Sequence, residues 1–297
     1  MPEQLPRDLW LLCTAFAGCF GACVGSFLNV CIYRIPLDQS VVAPRSHCMS
    51  CGKLIPWYHN LPVISYFVLR GRCASCKAPF SFRYAAVELL VAALFVLACC
   101  MAPPLGGKPP LGIVALPGLA AVPVMWVFLS GLVVATFVDL DHFIIPDSIS
   151  IGGMVAGLAL SALVPSLHGA DAAWRGLTMS AIGLAAGFVP LQTIRLVGTA
   201  IYRRKGRIAA DEYAMGFGDI KLIGAIGAFL GWQGAAFSIM AAALYGTLVA
   251  LPLLVTGNRK LLDRLPFGPY LSLGAFTWLL WGPRILGVYL AMLAPAA

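Results

Sequence analysis

Eight apolar stretches, at roughly 9–33, 84–103, 111–138, 148–165, 174–194, 220–231, 235–256 and 269–294, take up most of this chain. As helices, most of them can cross the ~30 Å hydrocarbon core of a bilayer, which takes about 20 residues. A bilayer core offers no water to the backbone, so a spanning segment has to close its own hydrogen bonds. Composition agrees. The chain is 60% hydrophobic and 11% charged, whereas a soluble domain carries about 25% charged residues. The expectation is an all-α polytopic membrane protein with about eight transmembrane helices. The sixth stretch is short and Gly-rich, and the pattern of charge supports keeping it.

The net charge is +8. Of the 20 Lys and Arg residues, seven lie in 34–83, six in 195–221 and three in 257–268. Threading eight spans in order puts these three stretches on one side of the membrane. Arg7, Lys108 and Arg175 fall on the other, and Arg284 lies in the outer half of the last span. The positive-inside rule then places the basic loops in the cytoplasm and both termini outside. Losing either the sixth or the seventh span breaks this agreement. Met1 to Asp8 lacks a basic n-region, so the first span reads as an anchor rather than a cleaved signal. The basic residues are dispersed over three loops with no binding fold around them. They fit anionic lipid at the bilayer surface better than nucleic acid.

The first basic loop also carries Cys48-Met49-Ser50-Cys51 and Cys73-Ala74-Ser75-Cys76. Thiols stay reduced in the cytoplasm, and two close pairs of thiolates suit a tetrahedral zinc ion. A redox pair or four unrelated thiols are the alternatives. The loop is too short to bury a core, so metal binding would supply its folding energy. Cys13, Cys19, Cys23, Cys31, Cys99 and Cys100 lie in or beside spans and read as small packing residues.

Carboxylates beside bilayer-length helices are costly and point to function. Asp139 ends the third span, closest to the hydrocarbon. Asp141 is about 200° further round a continuing helix, and Asp147 has the look of a helix N-cap before Ser148. Asp219 follows Gly216-Phe217-Gly218, whose backbone freedom would let an extended strand approach. Two close carboxylates sharing one proton can hydrolyse a peptide, one as base and one as acid. His47, His59, His142 and His168 are scattered and form no zinc-protease motif. Glu88, near the start of the second span, reads equally as a partner for Arg83 or as part of another site.

In order along the chain come Gly25-Ser26-Phe27-Leu28-Asn29-Val30, Tyr33-Arg34-Ile35-Pro36, the double cysteine loop with Trp57-Tyr58 and Asn60-Leu61-Pro62-Val63, Arg83-Tyr84, Val87-Glu88, the run from Asp139 to Ile145-Pro146-Asp147, Gly216-Phe217-Gly218-Asp219-Ile220-Lys221 and Pro266-Phe267-Gly268-Pro269. Together these segments resemble the type IV prepilin peptidases, which are bifunctional leader peptidases and N-methyltransferases. His59 departs from the acidic residue many relatives have there. The resemblance implies cleavage of the basic leader of type IV prepilins and secretion pseudopilins after a glycine, at the cytoplasmic face of the bacterial inner membrane. It also implies N-methylation of the new terminal residue by S-adenosylmethionine.

The spacing to Ile-Pro-Asp in that family selects Asp139 over Asp141, so Asp139 and Asp219 are the implied catalytic pair. Cys48, Cys51, Cys73 and Cys76 are the expected zinc ligands, in a small cytoplasmic loop. Residues 1–110 form the expected methyltransferase-associated region and 111–297 a six-span peptidase domain. No Rossmann fingerprint marks where S-adenosylmethionine would bind. The competing readings are a peptidase without methylation and a zinc-stabilised transporter or scaffold. The transporter reading would predict internal repeats, and none is evident.

Overall fold

A computed structural model describes residues 7–102, 113–206, 213, 216–255 and 265–293. Lys108, Arg207, Arg259, Lys260 and Arg264, and the ends assigned to several spans, lie outside these residues. The helices are α1 (Arg7–Arg34), α2 (Ile64–Val68), α3 (Arg83–Met101), α4 (Ala121–His142), α5 (Asp147–Leu163), α6 (Ala173–Arg204), α7 (Phe217–Val255) and α8 (Gly268–Leu293). Among the described residues there is no β-strand beyond two isolated bridges in the cysteine loop. Six of these helices are long and apolar enough to cross a bilayer, and α5 is a shorter apolar helix. Large apolar side chains such as Leu12, Phe16, Val155 and Met240 are exposed on the outside of the bundle. Lipid is the solvent that suits such a surface.

The sixth and seventh predicted spans are both present, as the two limbs of α7, and the helix breaks between them at Gly231 (φ 73, ψ 178). A positive φ there favours glycine. Limb 217–230 packs on α6, where Gly183 and Gly227 bring the two backbones into direct contact. Limb 232–255 returns along α8, with Gly274 against Ser238 and Gly246 against Tyr270. The chain therefore turns back at Gly231, and the two ends of α7 lie at the same end of the bundle. At 1.5 Å per residue the first limb is only about 21 Å long, short of a full ~30 Å crossing.

α4 is the central helix, and 61% of its most apolar window is buried inside the bundle. One of its faces, with Val133, Val134 and Val138, packs on Leu28 of α1 and on Val87, Val91 and Phe95 of α3. The other, with Met125, Phe128, Leu132 and Ala135, packs on Ile223, Ile226 and Phe229 of α7 and on Leu271 and Ala275 of α8. Trp126 stacks on Phe95 at 4.8 Å and donates from Nε1 to the Phe95 carbonyl at 3.1 Å.

The expected span 111–138 starts later than its apolar run. Residues 113–120 are not helical, because Val114 N–H donates to Leu280 O and Leu116 N–H to Met101 O, tying the segment to neighbouring helices. α6 also runs about ten residues beyond its apolar stretch, to Arg204.

Candidate active site

Asp139 lies on the last turn of α4 and is 4% exposed. Its Oδ2 accepts a hydrogen bond from the backbone N–H of Gly268, the first residue of α8, at 2.8 Å. The first N–H groups of a helix have no partner within the helix, and they favour an anion. Gly268 sits so close that a Cβ on it would stand 2.9 Å from Asp139 Oδ2 and 3.1 Å from Ile145 Cδ1. A Cβ on Gly218 would meet the same Ile145, at 3.0 Å from its Cβ. Ile145 is therefore the common neighbour that draws the Gly216–Asp219 turn, the end of α4 and the start of α8 together. Asp219 is in the first turn of α7, partly buried, and within Coulombic range of Asp139.

The remaining acids have other work. Helix α4 continues through Asp141, which faces away from Asp139 as helical geometry requires. Arg83 grips it in a bidentate fork, with both N···O distances 2.7 Å. The same guanidinium donates to Phe137 O at 3.3 Å and lies 4.8 Å from the Phe137 ring. The suggested Arg83–Glu88 pair does not form. Glu88 turns instead to the cysteine-loop side, where it accepts from Val63 N–H at 2.7 Å.

Asp147 is not an N-cap. Pro146 holds that position, and the Asp147 carboxylate pairs with Lys221, two residues past Asp219. Both Arg195, at 4.8 Å, and Lys221, at 4.7 Å, lie over the Phe217 ring. These contacts anchor Phe217, the residue between the two glycines of the turn. The sequence motifs included Gly268 and Ile145 but gave no hint that they join the two aspartates. No local pattern encodes a contact across 129 positions.

The ligand atoms of Cys48, Cys51, Cys73 and Cys76 all lie within 4.8 Å of one another. The sulfurs of Cys48 and Cys76 are 3.7 Å apart. Four sulfurs about 2.3 Å from one tetrahedral ion stand about 3.8 Å from each other, so the set fits such an ion. Each pair sits on a small hairpin. Cys48 N–H donates to Lys53 O at 2.9 Å, and Cys73 N–H to Ala78 O at 2.8 Å. Each second cysteine is followed by a residue of positive φ, Gly52 (70°) or Lys77 (60°).

Backbone N–H groups of Cys51 and Ser50 bring the Cys48 thiol down to about 6. Those of Cys76 and Ser75 lower Cys73. Cys76 receives an N–H from Ala78, yet burial and the neighbouring sulfurs push it up to about 11. Crowded sulfurs of this kind repel one another as thiolates, and a shared cation relieves the repulsion.

Residues 19–102 match the Bacterial Peptidase A24 N-terminal domain, and residues 126–251 match the Type IV leader peptidase family. A prepilin leader peptidase/N-methyltransferase of Myxococcus xanthus (strain DK1622) is 39% identical over 257 residues, covering 86% of this chain and 68% of the relative.

The chain belongs to the type IV leader peptidase family.

Two further leader peptidase/N-methyltransferases extend the likeness over nearly the whole length. That of Aeromonas hydrophila is 33% identical over 296 residues, 91% of each chain. That of Pseudomonas putida is 30% identical over 287 residues, 89% of each. No solved structure matches. The leader peptidase profile spans α4 to α7, the helices that carry both aspartates, and the N-terminal profile spans the cysteine loop.

Proposed function

We propose that this chain cleaves the basic leader from type IV prepilins and related pseudopilins and then N-methylates the new N-terminal residue. Asp139 and Asp219 are the catalytic pair of the cleavage step. The observation that carries this is their convergence around Ile145, at the N-termini of α7 and α8, in a chain of the leader peptidase family.

Two neighbouring carboxylates share a proton, because both cannot ionise together. We assign the ionised role to Asp139, since the Gly268 N–H and the start of α8 favour an anion there. Asp139 would take a proton from water as it attacks the scissile carbonyl. Asp219 would donate to the carbonyl oxygen as charge develops on it. The junction has to be extended at this point, because helical carbonyls are already hydrogen-bonded. Gly216, whose missing side chain faces Asp219 Oδ2, gives such a strand its approach, while Gly218 lets the turn close on Ile145.

The site faces the cytoplasm in this reading, because the dyad lies at the end of the bundle from which the basic loops leave. The protein is then a multi-pass inner-membrane enzyme. Residues 111–297 form the peptidase unit and 1–110 the methyltransferase-associated unit, with the Arg83–Asp141 fork between them. Zinc at Cys48, Cys51, Cys73 and Cys76 would be structural, cross-linking the two cysteine hairpins. S-adenosylmethionine is the methyl donor.

Purified protein incubated with a prepilin should release the leader, and with labelled S-adenosylmethionine it should label the mature N-terminus. Cleavage without labelling would reduce the function to peptidase alone, and neither reaction would refute the proposal.

A further inference from the structure

A cleft of ≈ 480 Å³ lies between α1 and the loop segments 41–46 and 55–62, lined by Cys23, Ser26, Phe27, Val30, Arg34 and residues of those segments. None of its lining residues belongs to α4, α7 or α8, so it is distinct from the aspartate pair. We propose that this cleft is the S-adenosylmethionine site, with Phe27 and Trp57 as its apolar walls and Ser26, Asn60 and Arg45 as its polar partners. The inference rests on the N-methyltransferase reading above and assigns that reaction its place.

The size suits the ligand, since small-molecule clefts measure about 300–1,000 Å³ and combine apolar walls with a few polar groups. S-adenosylmethionine offers an adenine face, a sulfonium, and an amino acid with a free carboxylate. Adenine and sulfonium both bind well over aromatic rings. Phe27 and Trp57 present such rings, 50% and 72% exposed. Arg45 supplies a cation for the carboxylate, and Asn60 and Ser26 supply neutral donors and acceptors.

The cleft is a built feature. Arg34, 8% exposed, donates from Nη1 to Ser40 O at 3.0 Å and from Nη2 to Pro44 O at 2.8 Å, which shapes the 40–44 wall. The next wall is the back of the first cysteine hairpin, where Ile55 N–H donates to Ser46 O at 2.9 Å. At the far edge, Ile64 N–H donates to Pro62 O at 2.6 Å around Val63, whose φ is 62° and ψ −53°. This is the rare, strained form of γ-turn, and a β-branched residue at positive φ is unusual. Buried Glu88 holds the turn by accepting from Val63 N–H, and Ser26 of the cleft lies beside the same carboxylate. Strain of this kind persists where the surroundings over-determine it, and it clusters at ligand clamps. Glu88 is thus a positioning residue, whose carboxylate fixes the Pro62 edge of the cleft beside Ser26.

The acceptor also has a route in. Ser26, Phe27 and Val30 lie near the C-terminal end of α1, a bilayer-length helix, so the cleft stands where that helix gives way to the basic loop. The N-terminal amine of a membrane-anchored pilin can reach it from the side. The neutral amine attacks the methyl carbon. A C–N bond forms as the C–S bond breaks, the sulfonium becomes the neutral thioether of S-adenosylhomocysteine, and the methylated ammonium releases its proton to water.

The test measures binding of S-adenosylhomocysteine to the full-length protein in detergent, with metal content and prepilin cleavage followed on the same preparations. Trp57→Ala and Asn60→Ala should each weaken binding about tenfold or more, as loss of an anchoring contact does, while metal content and cleavage persist. Glu88→Ala should weaken it too, and Glu88→Gln, whose amide oxygen can still accept from Val63 N–H, should restore it. Ultraviolet cross-linking of methyl-labelled S-adenosylmethionine should label peptides within residues 23–62. Binding that is unchanged in the variants, or label confined to 217–268, overturns the placement while the methyltransferase reading stands. A wild type that cleaves but neither binds nor methylates overturns both.

Discussion

Asp139 and Gly268 are 129 positions apart in sequence, yet the Gly268 N–H donates to Asp139 Oδ2 at 2.8 Å. The carboxylate at the end of one helix thereby occupies the N-terminal anion site of another. Most of the proposed cleavage chemistry depends on this contact.

Asp139→Asn and Asp219→Asn should each lower leader cleavage by about 10³-fold or more, since each removes one member of an acid–base couple. Asp141→Asn and Asp147→Asn should keep substantial activity, because those carboxylates bind Arg83 and Lys221. A prepilin cleavage assay in detergent decides it, and near-normal cleavage by Asp219→Asn would sink the assignment.

Gly268→Ala should reduce cleavage by about 10- to 100-fold, with the loss mainly in kcat, because a small displacement at the reacting groups is costly. The added Cβ would press on Asp139 Oδ2 and Ile145. Gly287→Ala, where a Cβ meets nothing within 4 Å, should behave as wild type. Equal activity in the two variants would contradict the role given to Gly268.

The purified protein should contain about one zinc per chain, as a four-thiolate site holds. Cys73→Ser should lower that content, and chelation should make residues 48–76 more sensitive to protease. Metal-free wild type carrying Cys48–Cys51 or Cys73–Cys76 disulfides would replace the metal site with a redox pair.

Arg83 and Asp141 form a partly exposed pair, with side chains 39% and 34% exposed. Screening by solvent keeps such pairs weak, so a double-mutant cycle on thermal stability should give a coupling of no more than about 1 kcal/mol. A coupling several times larger would mean that the joint between α3 and α4 depends on this pair far more than its exposure allows.

His168 hydrogen-bonds through Nε2 to the buried Ser161 hydroxyl at 3.0 Å, and burial lowers its pKa below the ordinary histidine value. The folded state therefore stays neutral at a pH where the unfolded chain already binds a proton. Stability should be lost as pH falls through about 6.5 toward the lower folded value, and regained above it. His168→Gln should flatten this slope in thermal denaturation measured from pH 7.5 to 5. An unchanged slope would assign the effect to other groups.

The sequence by itself determined the helical membrane architecture and the cysteine pairs, and it marked Asp139 and Asp219 as the candidates for the cleavage chemistry. Each of these rests on a local signal: an apolar run of bilayer length, a repeated C-x2-C, a carboxylate next to hydrocarbon. Even the weak sixth span was legible, through the sidedness of the basic loops, and it exists as the limb that ends at Gly231. What each of the other acids does was not legible. Arg83 passes over Glu88, within its own helix, for Asp141 on α4, and Asp147 forms an ion pair where its sequence context predicted a cap. Only the tertiary structure decided these partners, along with the meeting of α4, α7 and α8 at Ile145 and the cleft beside α1. Charge pairs and helix-end hydrogen bonds form wherever packing brings the groups together, and packing places them by contacts that no short stretch of sequence contains.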